Sequence, residues 1–130
     1  MTTETLKARG LMPSLTVNDL QRSIHFYTEG LGFKVSEEMK EEGEVTGVML
    51  EAGSAHVGLT QDDFAKGRDR VKGVGMRLYF ETEQNLDALA RQAKAAGVKL
   101  DHGPGPLPWG PVAITATDPD GFKVTITNPE

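Results

Sequence analysis

The last quarter of the chain reads as two strands joined by a tight turn, and this pattern restricts the fold more than any other feature. Residues 118–121 read Asp-Pro-Asp-Gly, and proline followed by glycine predicts a hairpin turn because proline presets φ and glycine accepts positive φ. Successive side chains of a strand point to opposite faces. The alternation assigns one face to Val112, Ile114, Ala116, Phe122, Val124 and Ile126 and the other to Ala113, Thr115, Thr117, Lys123, Thr125 and Thr127. The chain therefore needs a sheet with one apolar face and one polar face.

The predicted elements follow the same order twice: a strand, a helix and three strands. A strand at 11–17 precedes a helix that Asn18 or Asp19 can cap, and a strand at 74–81 precedes a helix that Thr82 can cap and Gly97 can end. A unit of this size cannot cover both faces of its own sheet. We therefore predict an α+β fold in which two βαβββ modules pair into a curved mixed sheet around a cavity, with the helices on the outer face.

The chain of 130 residues is predicted to form a single domain. The first module spans about residues 11–60, a charged linker spans 61–73, and the second module spans about 74–128. The linker carries both signs of charge and few apolar residues, so we interpret it as a solvated segment. Residues 103–108, which read Gly-Pro-Gly-Pro-Leu-Pro, predict a stiff loop that leads to Trp109.

Composition excludes several classes of function. The net charge of −5 and the pI near 5.2 argue against nucleic acid, whose phosphates would be repelled. The absence of cysteine removes disulfides, thiol catalysis and thiolate metal sites. No apolar run approaches the roughly 20 residues that span a membrane, and the N-terminal residues lack the apolar core of a signal peptide. A cytoplasmic protein that binds neither nucleic acid nor membrane is expected.

Four segments of the chain resemble the vicinal oxygen chelate (VOC) superfamily, which includes glyoxalase I, bleomycin resistance proteins and extradiol dioxygenases. They are Leu-Thr-Val-Asn-Asp-Leu-Gln-Arg-Ser-Ile-His-Phe-Tyr at 15–27, Gly-Leu-Gly-Phe at 30–33, Trp-Gly at 109–110 and Asp-Pro-Asp-Gly-Phe-Lys-Val at 118–124. With the internal repeat, the resemblance covers residues 11–128. It implies the paired βαβββ fold and a homodimer, either side by side or with exchanged modules.

Enzymes of this superfamily hold a divalent metal with His and Glu side chains from the first and last strands of each module. The resemblance assigns those four positions to Met12, Gly58, Gly75 and Thr125. Glycine has no side chain, the threonine hydroxyl is neutral and a thioether prefers soft metals, so none suits a hard divalent ion. A slip of one residue brings in Pro13, Val57, Met76 and Val124 or Ile126, which are no better. We therefore predict no metal and no other cofactor.

His56 lies two residues before Gly58 and is expected to face the cavity. It is a candidate catalytic base or hydrogen-bond partner for a ligand; the alternative is a strand-end histidine satisfied by backbone or water. A further alternative is a metal site of a different kind that combines His56 with Glu51 or Glu81.

Five other residues complete the predicted ligand site. Arg77 and Tyr79 share a strand face with Gly75 and are expected to point inward. An inward Arg77 either pairs with a carboxylate such as Glu51 or grips an anionic ligand. Trp109 either packs over the rim or stacks on a flat ligand. Thr115 and Thr125 contribute hydroxyls from the polar face of the hairpin.

The pattern is closest to the metal-free, bleomycin-resistance-like branch. The main hypothesis is therefore a protein that binds or sequesters a small aromatic or polar molecule, such as a drug or metabolite, with a role in antibiotic resistance. The alternative is a VOC-type lyase, isomerase or dioxygenase-like enzyme that is metal-independent or uses an unusual metal site. A third possibility is a structural or regulatory module whose cavity is filled by its own side chains.

Overall fold

The computed structural model describes residues 3–129, in which the strand, helix and three-strand order occurs twice. The strands are β1 (Ser14–Val17), β2 (Lys34–Glu41), β3 (Glu44–Ala52), β4 (Ala55–Gln61), β5 (Arg77–Glu81), β6 (Leu100–Pro106), β7 (Val112–Thr117) and β8 (Lys123–Thr127). Helix α1 (Leu20–His25) continues into a π-helical turn (Phe26–Gly30), and helix α2 spans Leu86–Ala95.

The strands form two four-stranded sheets with the same topology. Their strand orders are β1-β4-β3-β2 and β5-β8-β7-β6. In each sheet the first strand pairs in parallel with the last, and the other neighbours are antiparallel. The predicted α+β class with two βαβββ units is confirmed. The paired strands of each sheet come from one unit only.

The predicted alternation of the last hairpin is confirmed. Ile114 pairs with Ile126 and Thr115 pairs with Thr125, so apolar and polar residues occupy opposite faces of the second sheet. The apolar faces of both sheets and the buried sides of the helices form one continuous hydrophobic cluster. Phe33 and Phe80 meet in it edge to face, with 5.2 Å between ring centroids. The polar faces therefore lie on the side away from this core.

Two element boundaries differ from the sequence predictions. Asn85, rather than Thr82, caps α2, because its side chain accepts the backbone N–H of Ala88 at 2.9 Å. Strand β5 begins at Arg77 rather than at residue 74, because Gly75 adopts φ +76°, which is incompatible with an extended strand. Both corrections come from local backbone geometry that residue types alone do not specify.

The proline-rich segment predicted as a stiff loop is in large part strand β6. Residues Gly105 and Pro106 pair with Ala113 and Val112 of β7 after a register shift. Proline is tolerated there because β6 is an edge strand, so a missing backbone N–H removes no pairing on the outer side. Trp109 lies in the turn after this strand.

Residues 62–76 join the two sheets and contain turns but no helix or strand. The prediction that this charged segment is solvated is wrong for Lys72, whose side chain is 4% exposed. Its ammonium contacts Asp62 at 2.9 Å and donates to Asn18 Oδ1 at 2.6 Å. The sequence could not show this, because the anchoring groups come from the ends of β4 and β1.

Within residues 3–129, neither the length nor the apolarity of any helix is sufficient to cross a bilayer.

Candidate functional site

The polar face of the second sheet brings four predicted ligand-binding residues together. Tyr79 on β5 pairs with Thr125 on β8, and Thr125 pairs with Thr115 on β7. The three side chains therefore form one row across the sheet. Arg77 lies two residues before Tyr79 on the same face and pairs with Lys123. This face, which we call the threonine face, combines hydroxyls, a phenol and two cations.

Arg77 and Tyr79 are more exposed than predicted. Arg77 is exposed and Tyr79 is 53% exposed, whereas Thr125 is 6% exposed. Their cross-strand partners, Lys123 and Thr125, lie on the polar face, and the inward orientation of Arg77 and Tyr79 towards a cavity stays a prediction. In a single chain, however, the edge of the threonine face that carries them is accessible to solvent.

His102 extends the row of hydroxyls, although it was not predicted from the sequence as a site residue. It pairs with Thr115, and its Nε2 lies 3.1 Å from the carbonyl oxygen of Gly105. A carbonyl only accepts, so this contact places the imidazole proton on Nε2 and leaves Nδ1 available as an acceptor when the ring is neutral. Strand alternation would have identified His102, but the prolines after it led us to predict a loop where strand β6 lies.

A chain of hydrogen bonds holds the cationic edge of the threonine face. Lys123 Nζ donates to Thr117 Oγ1 at 2.8 Å, and Thr117 Oγ1 donates to Asp101 Oδ2 at 2.6 Å. Arg77 forms no ion pair within residues 3–129. Its guanidinium is therefore free to meet an anionic group of a ligand.

His56 lies on the polar face of the first sheet, apart from the threonine face. It pairs with Glu51, whose Oε2 is 3.8 Å from His56 Nε2, and Glu51 also contacts Lys34 at 3.5 Å. The suggestion that Glu51 clamps Arg77 is wrong, because Glu51 meets Lys34 and His56 instead. A carboxylate beside an imidazole can orient it as a base or hydrogen-bond partner.

A cleft of about 890 Å³ lies where the two sheets approach each other. The β3–β4 turn forms one side, including Ser54, and the end of β5 with the chain that follows forms the other. Phe33 and Phe80 line its apolar part, and Glu81 and Gln84 line its polar part. Tyr79 also lines this cleft, so it links the cleft to the threonine face. The position of this cleft depends on the tertiary arrangement, and no sequence motif predicted it.

Trp109 is separate from the cleft and 62% exposed. It sits in the turn between β6 and β7, where Gly110 N donates to Leu107 O at 2.9 Å. Both roles predicted for Trp109, packing over the cavity rim and stacking on a ligand, stay predictions. The exposed indole is accessible to a ligand or to another protein surface.

The four positions that the resemblance assigns to metal ligands differ in their surroundings. Met12 and Gly75 precede β1 and β5 and lie outside the strands, whereas Gly58 and Thr125 lie within β4 and β8. A Cβ on Gly58 would meet Ser14 Oγ at 3.6 Å, so this glycine opens less space than expected. The positive φ at position 75 explains why a glycine occurs there. None of the four side chains is a ligand for a hard cation.

No group of three His, Cys, Asp or Glu side chains that could hold a metal occurs among residues 3–129. His56 and Glu51 supply two such groups, and Glu81 lies instead along the cleft. The residues described in one chain therefore do not fit a divalent metal, which needs at least three convergent protein ligands in sites of this kind.

Residues 11–126 match the family model described as Glyoxalase/Bleomycin resistance protein/Dioxygenase superfamily. No curated protein matches the chain.

Solved structures with the same fold include three of direct interest. TnmS3, an antibiotic binding protein from Streptomyces sp. CB03234, is 22% identical with a TM-score of 0.70, over 98% of this chain and 100% of that one. A superfamily member from Sphaerobacter thermophilus DSM 20745 is 22% identical with a TM-score of 0.69, over 95% and 98%. TioX from Micromonospora sp. ML1 is 16% identical with a TM-score of 0.74, over 93% and 98%. At these identities the likeness shows the fold alone.

Proposed function

Because the chain belongs to the glyoxalase/bleomycin resistance protein/dioxygenase superfamily, we propose that it binds a small aromatic or polar molecule without the help of a metal ion. The ligand occupies the cleft between the two sheets and extends onto the threonine face. The observation that carries the proposal is Tyr79, which is 53% exposed and lines the cleft while standing in a row with Thr125 and Thr115.

The size and lining of the cleft support this proposal. Its volume of about 890 Å³ falls within the range of roughly 300–1,000 Å³ that is usual for small-molecule sites. Phe80 provides an apolar contact and Gln84 a polar one. An exposed tyrosine offers a flat ring for stacking together with a hydroxyl for hydrogen bonding. Arg77, near Tyr79, would receive an acidic group of the ligand.

The chemistry of the superfamily's metal positions supports the metal-free form of the proposal. Met12, Gly58, Gly75 and Thr125 offer no carboxylate and no imidazole. Sequestration, in which a protein binds a toxic molecule and releases it unchanged, needs no metal. TnmS3 is described as an antibiotic binding protein. The proposal extends this role to the present chain and adds antibiotic resistance in the cytoplasm.

A homodimer is part of the proposal. Tyr79 lies on the threonine face and His56 lies on the polar face of the first sheet, and neither face alone encloses a ligand. A second copy of the chain would cover these faces and bring residues such as His56 and Trp109 towards the bound molecule.

Calorimetric titration of bleomycin and a panel of planar aromatic antibiotics tests the site. We expect at least one compound to bind, and Tyr79→Ala to weaken its binding about tenfold because the stacking surface and the hydroxyl are lost. Tyr79→Phe is the matched control and should retain most of the affinity. Both variants should unfold at the same temperature as the natural protein, since the side chain is largely exposed.

Three outcomes would contradict parts of the proposal. If no compound of the panel binds, the binding function is wrong. If Tyr79→Ala binds as tightly as the natural protein, the ligand lies elsewhere. If the ligand is recovered chemically altered and His56→Ala stops the conversion, the protein is an enzyme in which the His56–Glu51 pair takes part. Stoichiometric Ni, Zn, Fe or Mn in the purified protein would contradict the metal-free form.

A further inference from the structure

A second cavity lies on the helix side of the second sheet, away from the cleft and the threonine face. It is a groove of about 550 Å³ between the end of α2 and strand β6. Ala90 on α2 and Val98, Leu100 and Pro104 beyond it form the apolar lining. This lining is aliphatic throughout and contains no aromatic ring. It therefore suits a flexible alkyl chain better than a flat aromatic molecule.

Two glycines with positive φ line the groove. Gly97 follows α2 with φ +83°, and a Cβ there would meet no heavy atom within 4 Å. Gly103 has φ +89°, and a Cβ there would approach Ala113 O to 2.1 Å. Larger residues are strained at both positions because of the positive φ.

Three cations line the same groove, and no acidic residue does. Arg91, Lys94 and Lys99 are its only charged lining residues, and all three are exposed. The four ion pairs within residues 3–129 involve none of them. The nearby Asp101 is already hydrogen-bonded to Thr117 at 2.6 Å.

This cluster contrasts with the charge of the whole chain. The protein has 19 acidic and 14 basic residues apart from histidine, so three cations without an acidic neighbour in the lining are a local exception. A favourable interaction with the helix dipole explains a cation in the last turn of α2, such as Lys94. It does not explain Lys99, which lies beyond the helix, or Arg91, which lies nearly one turn earlier.

We propose that this groove binds a free medium-chain fatty acid. The alkyl chain lies against the aliphatic lining, and the carboxylate meets the guanidinium of Arg91 and the ammonium groups of Lys94 and Lys99. An ionised acceptor strengthens such hydrogen bonds, and the apolar part of the ligand contributes through its removal from water. This site does not depend on the function proposed for the cleft.

Titration of decanoate into the intact protein tests the groove. We expect saturable binding of one decanoate per chain, and about fourfold weaker binding for each buried methylene removed from the ligand. Decanol, which has the same chain length without the charge, should bind at least tenfold more weakly. In NMR spectra, the amide shifts on addition of decanoate should be concentrated in residues 90–104.

Variants separate the groove from other sites. The triple variant Arg91→Gln, Lys94→Gln and Lys99→Gln should weaken decanoate binding about tenfold, whereas the matched control Lys40→Gln, an exposed cation on β2, should not. Ala90→Leu fills the groove while keeping a helix-favouring residue, and should also weaken binding. Tyr79→Ala should leave decanoate binding unchanged.

Several results would overturn the proposal. They are the absence of saturable decanoate binding, equal binding of decanoate and decanol, and full retention of binding by the triple variant. Binding of anionic phospholipid vesicles without binding of free decanoate would show that the groove meets a membrane surface instead. A change of oligomeric state in the triple variant, with decanoate binding unaffected, would show that a second chain covers the groove.

Discussion

The chain contains two tyrosines, and the tertiary structure places them in opposite environments. Tyr27 is fully buried and its hydroxyl donates to Asp118 Oδ2 at 2.7 Å. The other oxygen of Asp118 accepts the backbone N–H groups of Asp120 and Phe122, each at 2.9 Å. Burial raises the pKa of Asp118 despite these donors, and burial, followed by the charge of Asp118, raises the pKa of Tyr27. Tyr27 therefore anchors the β7–β8 turn against the first helix.

Tyr27→Phe should destabilise the protein by about 1–3 kcal/mol, because one oxygen of a buried carboxylate loses its donor while the ring packing is kept. Unfolding in urea measures this change. Tyr79→Phe is the control, and its free energy of unfolding should change by less than about 0.5 kcal/mol since the side chain is exposed. Equal effects of the two substitutions would contradict the anchoring role of Tyr27.

The segment that joins the sheets is held by specific contacts rather than by its own secondary structure. Asp62 accepts from Arg70 at 3.2 Å, contacts Lys72 at 2.9 Å and also accepts the backbone N–H of Phe64 at 3.1 Å. Further along, Gly73 N donates to the carbonyl of Asp120 at 3.1 Å. The chain between β4 and β5 is therefore attached at one end to a carboxylate and at the other to the β7–β8 turn.

Acid should loosen this attachment within a defined pH range. The hydrogen bond from Lys72 is the main cause that lowers the pKa of Asp62 from 3.8 to about 2. Because the folded pKa lies below the unfolded one, the stabilisation is complete above pH 3.8 and is lost as the pH falls through about 2. Between these pH values, the melting temperature of the natural protein should fall more steeply as the pH decreases than that of Asp62→Asn. Parallel curves would contradict this assignment.

At the scale of the whole molecule, the two repeats share one core and leave their polar faces outside it. The hydrophobic cluster draws on strands of both sheets and on both helices. Asn18 N also donates to Asp120 Oδ1 at 3.0 Å, across the two repeats. Large apolar side chains remain exposed away from this core, including Met39 and Trp109. We propose that a second copy of the chain covers these side chains.

Light scattering should therefore give about twice the mass of one 14.1 kDa chain, as expected for a homodimer. Met39, on β2, pairs with Gly47 on the polar face of the first sheet. Met39→Lys should shift the protein towards the monomer, because it places a charge on the face that the second chain is proposed to cover. Val71→Lys in the exposed linker is the matched control. A monomeric natural protein at micromolar concentration would contradict the proposed assembly.

Much of the site was predictable, but its grouping was not. Alternation along β7 and β8 correctly predicted that Thr115 and Thr125 share a face, because that information is local and has a period of two residues. His102 was not predicted as a site residue, because the prolines that follow it favoured a loop over an edge strand. His56 and Arg77 come from different modules and were expected to face one cavity. This grouping stays a prediction, because strand faces do not state how two sheets are oriented.

The sequence by itself determined the repeated order of elements, the apolar and polar faces of the strands and the family. These properties follow from residue types at short, regular spacings. Only the tertiary structure decided the cleft beside Tyr79, the burial of Lys72 and the cationic groove behind α2. Each of these depends on contacts between segments far apart in the chain, which are set by the packing of the whole core and not by any local pattern.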